Sequence, residues 1–405
     1  MKKRVAFVMN GFVCGGVARS LVSVLSLLPE DRFEISLIFI ERQVHFRKTG
    51  ILCELPGHVQ CFDFPFLPAD RYELEHGRKP ALFHAIKHLQ LGVASRMILM
   101  RIRWYLSGRR TSYSRLSFEA MVKRAPRKID DHYDYAFAYG GLFRPGVIVQ
   151  EWLTARVKAN WSHLECIEHA DIYENVYRKF GRLFACSQKL ANQLNAAYCP
   201  NENRFSFFPY YLNPDMYRLL ASRGAGFSDG YNGVRVLSIG RLCEQKGFDL
   251  AIDACRMLKS DGYDFKWYVV GEGSDRAELT CRIKEQGVTE NFLLCGQQTN
   301  PYPYIEQCDI YVQPSRYEGY CLTVAEARVF CKPIVCTDFA GADEQIKNGV
   351  TGVIAKEVSA ESIYEGVKSL FDHPEKCRAF SRALSGEIVD NEKRVRNAWS
   401  NLLEE

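Results

Sequence analysis

The stretch Val234-Arg-Val-Leu-Ser-Ile239-Gly240-Arg241-Leu-Cys-Glu-Gln-Lys246-Gly247 decides the fold. Val234–Ile239 is a short apolar run ended by glycine, which reads as a buried strand. Phe248–Lys259 then spaces its apolar residues as a helix does. Strand, loop and helix in that order place Arg241 and Lys246 at the carboxyl end of a strand, where open parallel sheets take their ligands. The alternation continues through a strand at Lys266–Val270, a helix at Asp275–Gln286, and strands at Phe292–Cys295, Ile310–Gln313, Ile334–Cys336 and Gly352–Ile354. An equivalent series precedes it. Val5–Met9 reads as a strand, 11–16 as a Gly-rich turn, Ala18–Leu28 as a helix and Ile35–Ile40 as a strand. Tyr135–Tyr139, Val157–Trp161 and Leu183–Cys186 read as later strands, and Ser187 as the cap of a helix running to Tyr198. The pattern breaks at Phe208–Pro214, and Ala221–Gly233, rich in Gly, Ser and Asp, reads as a linker. The chain is therefore α/β, with expected domains of 1–212 and 213–387. A final helix, 388–405 with its centre at about Asp390–Leu403, is expected to cross back to the first domain.

The bulk numbers agree. At 405 residues the chain exceeds what one core usually supports, and 47% hydrophobic with 25% charged residues is ordinary for a globular protein. Fifteen cysteines are scattered from Cys14 to Cys377 without a C-x-x-C or zinc spacing, so no metal site is expected. Such a set fits a reducing cytosol, with buried Cys acting as a small apolar residue. The start, Met1-Lys-Lys-Arg followed by Val5–Met9, imitates a signal peptide, but the apolar run stops at Asn10-Gly11 and reads better as a first strand. No run reaches about 18 apolar residues, so no transmembrane helix is expected. The net charge of +5 hides a block at 78–128, with thirteen Lys/Arg against one acid, Glu119. Leu91, Ile98, Leu99, Ile102, Trp104 and Tyr105 are interleaved with Arg96, Arg101 and Arg103 there. The block reads either as a solvated helix on a domain flank or as a basic amphipathic surface for an anionic membrane. No nucleic-acid module accompanies the charge, so no nucleic-acid partner is expected. A cytoplasmic location follows, with peripheral attachment to the inner membrane face as its variant.

Four constellations carry chemistry. Arg241 and Lys246, five residues apart on one loop after Gly240, can embrace a diphosphate. Alone, the loop is equally a solvent-exposed basic turn. Pro314-Ser-Arg-Tyr-Glu318-Gly-Tyr320-Cys321-Leu322-Thr323-Val-Ala-Glu326 follows the strand Ile310–Gln313. A helix opening near Thr323 offers the free N–H groups of Leu322 and Thr323 to an anion. Glu318 and Glu326 can bind hydroxyls of two sugars, while Thr323-Val-Ala-Glu326 also matches a capping box. His163, at the end of the strand Val157–Trp161, can meet a sugar from the gap between domains or be structural. Gly15 and Gly16 precede a helix and permit close backbone approach.

Taken in order, these motifs resemble the retaining glycosyltransferases of family 4. The run Gly-Arg-x4-Lys-Gly, then Val-Val-Gly271-Glu-Gly273, the Glu318-x7-Glu326 pair, Lys-Pro-Ile-Val-Cys-Thr-Asp338 and Asn348-Gly349-Val-Thr-Gly352 carry the resemblance. It covers nearly the whole chain and is strongest from Val234 to Ala355. It implies the GT-B fold, with two Rossmann-like domains facing each other across a cleft. It implies that Arg241 and Lys246 bind a donor diphosphate, Glu318 the transferred sugar and Glu326 the ribose. Gly240, Gly296, Gln297, Tyr320, Cys321, Leu322 and Thr323 complete the donor side, with Gly15 and Gly16 as the glycine loop and His163 as the cleft histidine. Two departures stand out. Cys331 replaces the usual Gly before Lys-Pro, and Ala18 and Arg19 stand where the family often has Glu after the double glycine.

The resulting expectation is a retaining transfer of a hexosyl or N-acetylhexosaminyl group from a nucleotide-diphosphate sugar, UDP-linked on the family prior. The acceptor is a glycan or a lipid-linked saccharide in polysaccharide biosynthesis. No cofactor is expected, since no D-x-D triplet is present to hold a metal. The rivals are a nucleotide-sugar epimerase, an NAD-type oxidoreductase lacking its Gly-x-Gly-x-x-Gly, and a non-catalytic sugar-binding protein.

Overall fold

The computed structural model describes residues 2–11, 16–41, 55–88, 90–106, 113–127, 132–140, 143–162, 176–199 and 201–404. The chain forms two compact units. One comprises residues 1–13, 28–185 and 192–206, the other 14–27, 186–191 and 207–405.

The first sheet contains β1 (Lys3–Met9), β2 (Phe33–Phe39), β3 (Val59–Asp63), β4 (His132–Tyr139), β5 (Thr154–Ser162), β6 (Arg182–Ala185) and β7 (Phe205–Phe207). Its order is β3-β2-β1-β4-β5-β6-β7, with parallel pairs from β3 through β6. Val5–Met9 is buried, as a strand inside a parallel sheet requires. Phe7 stacks on Phe137 at 5.0 Å, and Tyr139 meets Trp161 edge-on at 5.1 Å. Among the described residues of the first half the helices are α1 (Gly16–Leu25), α2 (Pro68–His76), α3 (Arg78–Lys87), α4 (Leu91–Leu106), α5 (Tyr113–Arg124), α6 (Arg144–Glu151) and α7 (Gln188–Tyr198). The Ser187 hydroxyl accepts the Leu190 N–H at 3.1 Å, the cap read from sequence.

The second sheet contains β8 (Val234–Ile239), β9 (Phe265–Val270), β10 (Phe292–Leu294), β11 (Ile310–Gln313), β12 (Ile334–Thr337) and β13 (Val353–Ala355), in the order β10-β9-β8-β11-β12-β13. Every pair is parallel. The helices are α8 (Pro214–Ala221), α9 (Phe248–Ser260), α10 (Arg276–Glu285), α11 (Tyr302–Gln307), α12 (Leu322–Val329), α13 (Ala342–Gln345), α14 (Ala360–Phe371) and α15 (Pro374–Glu404). Alternate strand residues serve opposite faces. Val236, Trp267, Val269, Val312 and Val335 pack with α9, α10 and α14. Leu237, Ile239, Tyr268, Tyr311 and Ile334 pack with α8, α11 and α12. The sequence expectation of a last helix near 390 is corrected: α15 begins at Pro374 and runs unbroken for 31 residues.

Both sheets share the arrangement third-second-first-fourth-fifth-sixth strand, in which the chain reverses direction of growth beside the first strand. In the second sheet that reversal lies between β8 and β11. In open parallel sheets the carboxyl ends of the strands beside such a reversal are where ligands bind. The two most informative motifs in the sequence are those two loops.

Candidate active site

The loop after β8 runs from Gly240 through a 3-10 turn at Glu244–Lys246 to Gly247. Gly247 has φ 65°, and a Cβ there would sit 2.1 Å from the Pro314 carbonyl oxygen, so only glycine lets the two loops meet. Polar ties fix them together. The Arg316 N–H donates to Gln245 O at 2.8 Å, and Gln245 Nε2 to Tyr317 O at 3.0 Å. Arg316 also grips Asp249 with two guanidinium nitrogens at 2.8 and 2.6 Å. That bidentate fork ties the second loop to the first turn of α9, directly after the first loop.

Within this frame Lys246 Nζ is paired with Glu318 Oε1, their side chains 17% and 9% exposed. Burial opposes the lysine charge, but the Cys321 sulfur and Glu318 outweigh it and raise the Lys246 pKa above its usual value. Burial also pushes Cys321 up to about 12, so that thiol is neutral at pH 7 and Glu318 is the effective partner. A buried polar chain stands behind the pair. Ser315 Oγ donates to Glu318 Oε1 at 2.7 Å, Gln313 Nε2 to Ser315 Oγ at 2.8 Å, and Tyr311 OH and Thr323 Oγ1 to Gln313 Oε1 at 2.8 and 3.0 Å. Fully bonded chains of this kind hold a carboxylate in one orientation. Arg241 differs: it is exposed, and among the described residues no hydrogen bond or ion pair engages its side chain. It is available to an anion from solution.

Helix α12 opens on Cys321, which holds φ 61° without being glycine, a strained backbone of the kind that clusters at ligand sites. The N–H groups of Val324 and Ala325 turn to the Cys321 carbonyl, and those of Leu322 and Thr323 precede the first intrahelical bonds. Tyr320 is half-buried, with its ring 5.1 Å from that of Tyr210. Gly16 packs on α12, since a Cβ there would lie 2.6 Å from Leu322 Cβ.

Glu326 is not a capping residue. The helix cap is Cys321, five positions earlier, and Glu326 Oε1 accepts the Tyr302 hydroxyl at 3.0 Å. Burial lifts its pKa to about 7, although Arg19 and the Tyr302 bond pull it down. Gly240 lies under the Lys246 stem, a Cβ there meeting its Cδ at 3.3 Å. Gly296, at φ 74°, accepts the Gly271 N–H at 2.9 Å, and Gln297 beside it is exposed. Gly15 and His163 lie outside the described residues. Sequence reasoning missed Gln313, Ser315, Arg316 and Tyr302. Of these, Gln313 was visible as a polar residue ending an otherwise apolar strand. At Cys331, where glycine was the familiar residue, the left-handed helix end persists at φ 53°, with Lys332 N bonded to Ala327 O at 3.1 Å.

Two Rossmann-type parallel sheets, one with its basic loops at the strand reversal, define the GT-B fold class. A crystallised S. aureus TarM variant, in complex with fondaparinux, alpha-GlcNAc-glycerol and UDP, superposes over 100% of both chains with a TM-score of 0.71 at 12% identity. Residues 232–384 match the glycosyl transferases group 1 family. The Erwinia amylovora amylovoran biosynthesis glycosyltransferase AmsK is 27% identical over 57% of this chain and 58% of its own. The Campylobacter jejuni N-acetylgalactosamine-N,N'-diacetylbacillosaminyl-diphospho-undecaprenol 4-alpha-N-acetylgalactosaminyltransferase is 30% identical over 42% of this chain and 46% of its own. The chain thus spans about half the length of these curated relatives.

Proposed function

We propose that the chain is a retaining glycosyltransferase, moving a hexosyl or N-acetylhexosaminyl group from a UDP-linked donor to a glycan or lipid-linked acceptor in bacterial polysaccharide assembly. The observation that carries this reading is the meeting of Lys246 and Glu318 on the loops that flank the β8–β11 reversal, beside an unengaged Arg241. In the reaction the acceptor hydroxyl attacks C1 of the sugar on the face the diphosphate leaves. The C1–O bond to phosphate breaks, the C1–O bond to the acceptor forms, and the hydroxyl proton passes to the departing phosphate oxygen. Negative charge grows on the diphosphate, so Arg241, Lys246 and the Leu322 and Thr323 amides stabilise the transition state more than the ground state. Glu318 takes sugar hydroxyls, Glu326 the ribose, Gly296 and Gln297 the base, and His163 the transferred sugar. These cations and amides replace a metal ion, so a chelator leaves turnover unchanged. The names of the relatives support a donor of this type and an acceptor carried on a lipid diphosphate.

An anionic membrane face is the proposed workplace. On α4, Leu91, Ile98, Leu99, Ile102, Tyr105 and Leu106 share one helical face and are 48–79% exposed. Exposed Lys79, Lys87 and Arg101 accompany them, whereas Arg96 and Arg124 are spent on buried Asp70 at 2.9 and 3.0 Å. Among the described residues no helix is long and apolar enough to cross a membrane.

A panel of nucleotide sugars, read by thermal shift and by mass spectrometry of the products, tests the reading. A UDP-sugar is expected to raise the melting temperature and to lose its sugar to water or acceptor. Conversion of the donor to an isomer without acceptor would make the chain an epimerase, and indifference to every nucleotide sugar would end the proposal. NMR of the product linkage tests retention, which an inverted anomer contradicts.

A further inference from the structure

Arg19 is a buried charge with no role in the reaction as written. It lies on α1, 307 positions before Glu326, and is 5% exposed. Its guanidinium donates to the Thr299 carbonyl at 2.8 Å and lies 4.7 Å from the centre of the Tyr302 ring. Tyr302, fully buried and edge-on to Tyr217 at 4.8 Å, donates a hydrogen bond from its hydroxyl to Glu326 Oε1. A guanidinium, a phenol and a carboxyl are thus assembled out of water, on three helices that sequence separates widely.

The chemistry of a vicinal diol gives this assembly a purpose. An ionised carboxylate has two oxygens that only accept, and can take both hydroxyls of a ribose; a protonated carboxyl loses part of that capacity. A carboxyl 3% exposed prefers to be neutral unless a cation faces it. The groups that act on Glu326 from the packed elements are Arg19 on α1, Tyr302 on α11, Tyr217 on α8 and Tyr311 on β11. The three phenols stay protonated, because burial raises each well above its ordinary range. Arg19 is the cation of the set.

We infer that Arg19 is a positioning residue of the donor site: it keeps Glu326 ionised and, through the Tyr302 ring, holds that carboxylate in the orientation that accepts a nucleotide's ribose. This rests on the donor reading of Glu326 above. Ionisation sets the competent fraction of the site, and apparent affinity falls in proportion to that fraction. Glu326 sits near neutrality already, so removing the cation moves its titration upward and empties the competent state at pH 7.

The test is calorimetric titration of UDP between pH 6 and 9 into wild type, Arg19→Leu, Arg19→Lys, Tyr302→Phe and Glu326→Gln, each checked for cooperative unfolding. Glu326→Gln supplies the pH dependence that belongs to UDP itself. Wild-type affinity should weaken below pH 7. Arg19→Leu should bind about tenfold more weakly at pH 7 and recover toward pH 9. Arg19→Lys should restore binding at pH 7, and Tyr302→Phe should shift the profile less than Arg19→Leu. Wild-type-like affinity in Arg19→Leu at pH 7, or an equal loss at every pH, would overturn the inference while leaving the donor reading in place. A folded wild-type chain that takes neither UDP nor, tried in turn, ADP, GDP or CDP removes both.

Discussion

The loops after β8 and β11 and the helix α4 break the same rule in opposite directions. The loops draw a lysine and a carboxylate inside, 17% and 9% exposed, where charge is costly. Helix α4 turns Leu91 and Leu106 outward, 70% and 79% exposed, where apolar surface is costly. Each inversion leaves a surface whose cost a ligand can relieve, and the chemistry differs accordingly. In the proposed reading the loops would offer fixed charge and amides to a small anion, and α4 hydrocarbon and cations to an extended anionic face. In a fold of this class, residues whose burial contradicts their polarity are the places to look for function.

Lys246 is the most sensitive position in the loops. Lys246→Ala should lower kcat by about a thousandfold, with KM moving much less, because the charge it meets grows toward the transition state. Steady-state kinetics with the donor found by the panel checks this, and an unchanged kcat would remove the loops from the chemistry.

The next effect concerns the buried carboxyl. Glu326 has its pKa raised in the folded state to about 7 from 4.5, so folding favours its protonated form. Its presence costs nothing below pH 4.5, and the cost grows as pH rises to 7 and is full above it. Glu326→Gln should therefore stabilise the chain above pH 7, on the order of 3 kcal/mol before relaxation, and leave stability near pH 4.5 unchanged. Urea unfolding at the two pH values measures the difference.

For α4, replacing Leu99 and Tyr105 together by serine should weaken partition onto phosphatidylglycerol vesicles by about tenfold, judging from the apolar area removed. The melting temperature should hold, since both side chains are largely exposed. Co-sedimentation at low salt is the assay, and equal binding would make the apolar stripe a bystander. The smallest effect is expected at Cys331, held at φ 53°. Cys331→Gly should raise stability by up to about 1 kcal/mol by relieving a left-handed residue.

The two regions also differ in how far the sequence discloses them. β8 has the bounds read from its residues, and α12 starts one position before the expected Thr323. Those segments are short, fully buried and punctuated by glycine, so pattern and structure coincide. β3 escaped notice because only Val59 of its five residues is fully buried, as befits a strand at a sheet edge. The start of α15 was missed because Pro374 is followed by a charged stretch in which, among the residues whose burial is described, Phe380 and Leu384 alone are buried before Val395, although proline in a helix's first turn was a usable signal. The partnership of Arg19 with Glu326 was not legible at all. It depends on packing between helices far apart in the chain, and Arg19 read only as a departure from a familiar motif. The left-handed Cys321 and Cys331 are likewise imposed by tertiary structure on residues that do not favour that backbone.

In the proposed reading the paired loops bind a nucleoside diphosphate through its phosphates. Calorimetry of UDP and of uridine against the wild type and an Arg241→Ala, Lys246→Ala double variant measures this directly. The double variant should lose about a hundredfold in UDP affinity while its weak uridine affinity is retained. Equal UDP affinity in the two proteins would contradict the account.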